Sequence, residues 1–318
     1  HRFYRHSNIC ARCWNIPYLQ EEKGQKALAH TDDRDLRVPW YDPLFTSYLT
    51  FYIKNGDETM NKTALITGAS GGLGLSFVNI FARDGYDIVL VARNCARLEE
   101  IKTEIEKKYG VNATVIAKDL CSADGAKEVY TETQAKGITV DVLVNNAGLG
   151  DFGEFWKNDF SRQERIVDLN CTALIELCHL YLPQMVKNGS GKILNVASIA
   201  AFQPGPLMSV YYASKSFVLS FSQALTRELK GTGVKVTCLC PGPIRTNFDV
   251  AANFGESGLF KNLKVWDPDV VAEFGYKNMK KGRSLCVCGG FNRIIVFANR
   301  FAPRALVREM VYHLQKVQ

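Results

Sequence analysis

The residues best equipped for chemistry gather in SIAAFQPGPLMSVYYASK, residues 198–215. Tyr211 and Lys215 stand four apart in YYASKSFVLSFSQALTREL, whose apolar spacing reads as helix, so both side chains share one face a turn apart. A phenol with an ordinary pKa near ~10 is a poor proton carrier at neutral pH. A lysine ammonium a few ångströms away favours the phenolate and is expected to pull that pKa down toward the working range. Ser198, thirteen residues upstream at the end of an apolar strand, is placed to hydrogen-bond a substrate oxygen from the other side. Such a set moves a proton on or off an alcohol or a carbonyl. Tyr-x-x-x-Lys also occurs at Tyr276/Lys280 and Tyr312/Lys316, but without an upstream serine. Those two pairs read as solvated helix surface.

What could position this apparatus lies upstream. Residues 62–67 (KTALIT) have a short buried-strand pattern and run straight into Gly68-Ala-Ser-Gly-Gly-Leu-Gly74. The following LSFVNIFARDG has helical spacing and stops at Gly85. Strand, glycine turn and helix make the context in which a glycine fingerprint binds a dinucleotide. Gly68 permits the tight turn, while Gly72 and Gly74 are expected to let a pyrophosphate approach amides at the helix N-terminus. The spacing is GxxxGxG, not the GxGxxG of most dinucleotide folds.

The second strand, DIVLVA (residues 87–92), ends without the acid that would hold a ribose 2′-hydroxyl. Arg93 stands there and Ser70 lies in the glycine turn, an arrangement suited to a 2′-phosphate, so NADP(H) is favoured over NAD(H). Alternation continues through a helix over 94–109, a strand over 113–117 leading to Asp119-Leu120, a helix over 122–136 and a strand over 140–144 ending in Asn145-Asn-Ala147-Gly148. Strands alternating with helices imply a doubly wound parallel sheet with ligands at the strand carboxyl ends.

These pieces, TGASGGLG (67–74), DL (119–120), NNAG (145–148), Asn170 in IVDLN, Ser198, YYASK (211–215) and PGPIRT (241–246), occur in the order and spacing of one family. The chain resembles the short-chain dehydrogenases/reductases over roughly residues 60–250, with a longer tail like that of a ketoacyl reductase-like branch. The resemblance implies a single Rossmann-type α/β domain of roughly seven parallel strands in the order 3-2-1-4-5-6-7, with a helical C-terminal extension. It implies that Tyr211 is the general acid in reduction and the base in oxidation, and that Lys215 lowers its pKa and holds the nicotinamide ribose. Ser198 would orient the substrate oxygen, and Asn170 would open a helix ladder to support a water relay from Lys215. Asp119 would bind adenine, Asn145 would brace the central strands near the cofactor, and Thr246 would meet the carboxamide. Leu73, Leu120, Ala147, Pro241, Gly242 and Ile244 complete the implied cofactor contacts. The hydride would pass directly between nicotinamide and carbonyl carbon, so no metal is expected.

Composition sets the outer bounds. The 318 residues are 47% hydrophobic and 22% charged, which suits a globular protein with a sizeable core. Eight basic and eight acidic residues balance over 1–59, so the net charge of +7 lies in the remainder, without the clustering of a nucleic-acid binder. Residues 1–59 lack a sustained period and read as an extension of a domain spanning 60–318 that starts near Met60. The ten cysteines are scattered without metal-site spacing, Cys286-x-Cys288 reads as strand filling, and reduced thiols suggest a cytoplasmic location. His179 and His313 read as structural.

Phe152, Phe155, Trp156, Phe202, Leu207, Phe248 and Phe254 are expected to wall a pocket for an apolar small-molecule carbonyl or alcohol such as a steroid, fatty-acyl ketone or lipophilic aldehyde. The tail, within 243–318, places Arg300, Arg304 and Arg308 four apart among apolar residues. That reads as a packed helix with an arginine edge, with contact to anionic lipid or an acyl carrier as the alternative. Phe217, Val218 and Phe221 exceed what one helix face needs, which suits a homodimer or homotetramer. The overall expectation is an NADP(H)-dependent carbonyl reductase or alcohol dehydrogenase. The alternatives are a catalytically silent NADP(H)-sensing regulator and an isomerase or epimerase on the same scaffold.

Overall fold

The structure, a computed structural model, describes residues 61–245 and 265–316. The reading of 1–59 as an extension lies outside them. β1 (Thr63–Thr67) and β2 (Asp87–Ala92) are apolar along both faces, as strands covered by helices on both sides must be. With β3 (Ala113–Ala117), β4 (Val142–Asn145), β5 (Gly191–Val196), β6 (Val234–Cys240) and β7 (Leu285–Val287) they form a seven-stranded sheet ordered β3-β2-β1-β4-β5-β6-β7. Every pair is parallel. The expected strand order is therefore the one found. Chain direction across the sheet reverses between β1 and β4, paired from Ala64↔Val142 to Ile66↔Val144, so a crevice opens beyond their carboxyl ends.

Among the described residues the α-helices are α1 (Gly72–Arg83), α2 (Cys95–Tyr109), α3 (Gly125–Ala135), α4 (Phe160–Val167), α5 (Ala173–Lys187), α6 (Ser209–Glu228), α7 (Pro268–Lys280), α8 (Gly290–Ala298) and α9 (Arg304–Gln315). On one face, Phe77 and Phe81 of α1, Ile101 of α2 and Met279 of α7 bury against the sheet. On the other, Val129 of α3, Leu177 and Tyr181 of α5 and Val218 of α6 do so. A π-helical turn, Asp168–Thr172, joins α4 to α5. The resulting helix Phe160–Lys187 is long and apolar enough by length and composition to cross a membrane. Here Leu174, Leu177, Tyr181 and Met185 are instead part of the core.

Three expectations need correction. The helix read over 122–136 begins only at Gly125, because Ser122 first closes a turn, donating from N (3.1 Å) and Oγ (2.8 Å) to Asp119 O. Tyr276 is not solvated surface. It is buried and donates to Asp84 Oδ2 at 2.6 Å, with Lys280 3.4 Å from the same oxygen. The tail is two helices, broken before Pro303, so Arg300 falls in the turn and cannot share a helical edge with Arg304 and Arg308.

Candidate active site

The crevice begins at the glycine turn after β1. Gly68 has φ 68°, and a Cβ there would meet Asn146 Nδ2 at 2.8 Å. A Cβ at Gly74 would stand 2.0 Å from Gly68 O, so this glycine lets the first turn of α1 close onto the loop. Gly71, the side-chain-free N-cap of α1, has open space where its Cβ would be. The unsatisfied amides of the helix start are therefore reachable here, beside Gly72, by an anionic group. The reading of the sequence had passed over Gly71.

Thr67 and Asn146 stitch β1 to β4. Thr67 Oγ1 accepts from the backbone N–H groups of Asn146 and Ala147, both at 3.0 Å, and Asn146 Nδ2 donates to Thr67 O at 2.9 Å. Asn145 faces away from the crevice: its Nδ2 donates to Asn195 Oδ1 of β5 at 2.9 Å. It braces the central strands, as expected, but borders neither cavity, where a cofactor contact was expected of it.

Two adjoining cavities follow the strand ends. One, about 610 Å³, is lined by Gly68, Ser70, Arg93, Asp119, Leu120 and Gly148 among others. The other, about 970 Å³, shares Gly68, Ser70, Arg93, Ala147 and Gly148 and continues past Leu73 and Gly74 to Ser198, Tyr211, Lys215, Pro241, Gly242 and Ile244. Arg93 is exposed at the junction and makes no ion pair among the described residues. Asn94 beside it is fixed as the N-cap of α2, its Oδ1 accepting from Arg97 N at 3.1 Å. Asp119 is held by Arg165 Nη2 (3.0 Å) and Cys121 N (3.0 Å), which keep its carboxyl below the usual range against the opposing effect of burial. Thr246, Phe248 and Phe254 lie outside the described residues.

Tyr211 and Lys215 project from the first turns of α6, with Ser198 opposite at the end of the segment following β5. Ser198 is locked by its own role as N-cap of the 3₁₀ turn Ile199–Phe202, where its Oγ accepts from Ala200 N at 3.1 Å. Burial pushes the Tyr211 phenol up to about 12, and a hydrogen bond with Ser198 acts against that rise. Burial also pulls the Lys215 ammonium down to about 8, opposed mainly by the Cys171 thiol. The expected lowering of the phenol pKa is thus absent from the protein by itself. The ammonium lies 5.7 Å from the Tyr211 ring centroid and donates to Val196 O at 3.0 Å.

Asn170 sits in the π-helical turn, almost wholly buried, and does not border the cleft. Its Oδ1 accepts from Leu149 N at 2.8 Å, and its Nδ2 donates to Leu149 O and Ser214 Oγ, both at 2.9 Å. A Cβ at Gly148 would come within 3.3 Å of Asn170 Oδ1 and 3.4 Å of Lys215 Nζ, so a side chain there would press on both groups. Asn170 is a positioning residue that fixes the loop after β4 against α6.

The substrate wall differs from expectation. Phe155 and Trp156 point into solvent, Phe202 packs into the sheet-side core, and Leu207 serves through its carbonyl, which accepts from Gly153 N at 2.8 Å. Of the expected rings among the described residues, Phe152 alone packs near the cleft, against the cluster of Met208, Tyr212, Val307 and Val311. The wall is supplied instead by the tail: Ile295 of α8, then Val307, Met310, Val311 and Leu314 of α9. Gln315 Nε2 anchors α9 by donating to Tyr212 Oη at 2.8 Å. An amphipathic tail was legible, but nothing in its spacing says which element its apolar face covers. His179 and His313 are exposed and border neither cavity.

The family profile described as short chain dehydrogenase matches residues 62–256, well over half of the chain. The chain belongs to the short-chain dehydrogenase family. Within it, the chain is 34% identical over 193 residues to a very-long-chain 3-oxoacyl-CoA reductase of Danio rerio, covering 59% of this chain and 61% of that one. It is 29% identical over 249 residues to the 17-beta-hydroxysteroid dehydrogenase type 3 of Mus musculus, covering 78% of each. Among solved structures, a short-chain dehydrogenase from Sphingobium yanoikuyae in complex with NADPH superposes with a TM-score of 0.67 at 30% identity, over 76% of this chain and 93% of that one. A hydride-transferring oxidoreductase that binds a nicotinamide dinucleotide is the activity these relationships carry. The crevice fits such a cofactor: two joined cavities, an open helix N-terminus at Gly71 and a backbone floor at Ala147 and Gly148.

Proposed function

We propose that the protein interconverts an apolar ketone or aldehyde and its alcohol using NADP(H). The observation that carries this reading is the convergence of Ser198, Tyr211 and Lys215 where the dinucleotide crevice meets the apolar cleft. When bound, the dihydronicotinamide supplies the hydride for reduction and the oxidised ring accepts it in reverse. The Tyr211 hydroxyl gives its proton to the carbonyl oxygen in reduction and recovers it in oxidation. Ser198 Oγ hydrogen-bonds the same oxygen and holds it beside the phenol. Lys215 favours the phenolate once its ammonium turns from Val196 O toward the site, and Asn170 keeps the loop that carries Gly148 in place.

Gly68, Ser70, Gly71, Gly72, Leu73, Arg93, Asp119, Leu120, Ala147, Gly148, Pro241, Gly242, Ile244 and Thr246 are the residues we assign to the cofactor. The exposed Arg93 guanidinium, which lines the same cavity as Ser70, supports a 2′-phosphate there and hence NADPH over NADH. The aliphatic wall of α8 and α9 supports a bulky apolar substrate, a class in keeping with the acyl and steroid substrates named for the two relatives. Phe217, exposed and stacked on Phe221 of α6 at 6.2 Å, supports an interface between copies. The free thiols of the described cysteines support a reducing, cytoplasmic setting.

Initial rates with a panel of lipophilic ketones, followed at the reduced-nicotinamide absorbance, test the reading. Arg93→Ala should weaken NADPH at least roughly tenfold and leave NADH within a few-fold, the loss expected for one charge-assisted phosphate contact. Equal weakening of both cofactors would sink the 2′-phosphate assignment.

A further inference from the structure

Helix α8 carries apolar side chains on two faces: Val296 is buried in the core and Ile295 lines the cleft, while a second apolar set faces out. Its buried positions include Asn292, 7% exposed, whose Nδ2 donates to Cys288 O at 2.7 Å. Arg293 Nε is turned inward to Val287 O at 3.0 Å, and Asn299 Nδ2 donates to Gln203 Oε1 at 2.6 Å. The outward set is Phe291, 67% exposed, and Phe297, 61%, with Ile294 between them and Phe301, 75% exposed, just beyond. The Phe297 and Phe301 rings pack edge to face at 5.2 Å. On α9, Val307, Val311 and Gln315 face inward while Leu306, Met310 and Leu314 form a second exposed apolar row.

The charge around these rows has one sign. Residues 290–316 hold five lysines or arginines and one carboxylate, Glu309, which is paired with Arg308 at 3.2 Å. Arg300 and Arg304 make no ion pair among the described residues. Outward aromatic and aliphatic side chains edged by unpaired arginines have the chemistry of a helix lying in the headgroup layer of an anionic bilayer. A protein partner of this polarity would need a complementary acidic apolar surface, whereas an anionic bilayer presents both features everywhere. The same region is the mouth of the cleft, since Phe291, Met310 and Leu314 are both exposed and part of its lining.

We propose that α8, α9 and the turn between them seat the protein on an anionic phospholipid surface with the cleft mouth toward the lipid. An apolar substrate then passes from the bilayer to Tyr211 without crossing water. That passage rests on the apolar-substrate reading above, whereas the docking itself does not.

The full chain, mixed with vesicles of phosphatidylcholine alone or of phosphatidylcholine with phosphatidylserine, is separated by sedimentation. Binding should be at least roughly tenfold tighter to the anionic vesicles and should weaken as salt is raised. The variant Ile294→Asp/Phe297→Asp, at positions that do not line the cleft, should stay in the supernatant with an unchanged thermal melt. Should that variant fail to fold, Arg300→Glu/Arg304→Glu should lose the preference for anionic vesicles. A chain that binds neither vesicle, or binds equally well with I294D/F297D, would overturn the proposal. So would a wild-type dimer that ignores vesicles and is split by I294D/F297D, which would make this face a contact between copies. Vesicle binding needs neither cofactor nor turnover, so its failure and the failure of the enzymatic reading are separate results.

Discussion

The two ends of the cleft are built on opposite principles. On the nucleotide side, backbone comes to the ligand: Gly68, Gly74 and the Thr67–Asn146 bonds leave almost no tolerance for an added atom, while Gly71 keeps the helix start open. On the substrate side, aliphatic side chains of α8 and α9 form the wall, joined by a turn at Pro303 and held by single contacts such as Gln315 to Tyr212. The first kind of surface fixes what may bind to within an ångström. The second sets size and polarity and leaves identity open. A family can therefore keep one cofactor crevice and exchange its substrate by altering the tail.

The largest effect should come from the nucleotide side. Gly74→Ala drives a methyl into Gly68 O and should cost about 3 kcal/mol, read as a fall in Tm. Gly71→Ala meets no protein atom, so stability should stay within about 1 kcal/mol while NADPH weakens roughly tenfold. If both variants lose stability alike, the distinction between a packing glycine and a ligand-facing glycine is wrong. On the substrate side, Met310→Ala should raise KM for a long-chain ketone about fivefold, the loss of one to two buried methylenes. Its kcat and NADPH affinity should be unchanged, and a changed NADPH affinity would mean that the two ends are not separable.

The smallest effect concerns Lys215. Its folded pKa, about 8, lies below the ordinary 10.5 because burial disfavours its charge. Between those values the unfolded chain carries a proton that the folded chain has released, so stability rises with pH across that window. Lys215→Met removes the buried charge and leaves Val196 O without its donor. It should therefore melt higher than wild type near pH ~7 by about 1 kcal/mol, with the gap closing toward pH ~10. A variant that melts lower at every pH would show that the ammonium stabilises the fold.

Legibility followed the same division. The glycine turn, the strand ends and the Ser198–Tyr211–Lys215 set could be read because close backbone approach and proton transfer admit few residue types. Asn146 and Gly71 were missed because their neighbours, Asn145 and Gly72, are the same residue types, and only the strand register and helix start decide which of each faces the crevice. The expected lowering of the Tyr211 pKa left out burial, which raises it, because proximity is visible in a sequence and desolvation is not. Trp156 and Phe155 were assigned to the wall by type and nearness in sequence. Their exposure and the inward turn of Val307 and Val311 are tertiary facts that no local period encodes.

The central claim is that Tyr211 carries the proton and has no part in holding the nucleotide side together. One variant, Tyr211→Phe, measured for both NADPH affinity and turnover of a lipophilic ketone, tests it most directly. Turnover should fall by roughly a thousandfold while the NADPH Kd stays within a few-fold. Near-normal turnover would contradict the account outright, and a parallel loss of binding and turnover would make Tyr211 a structural residue.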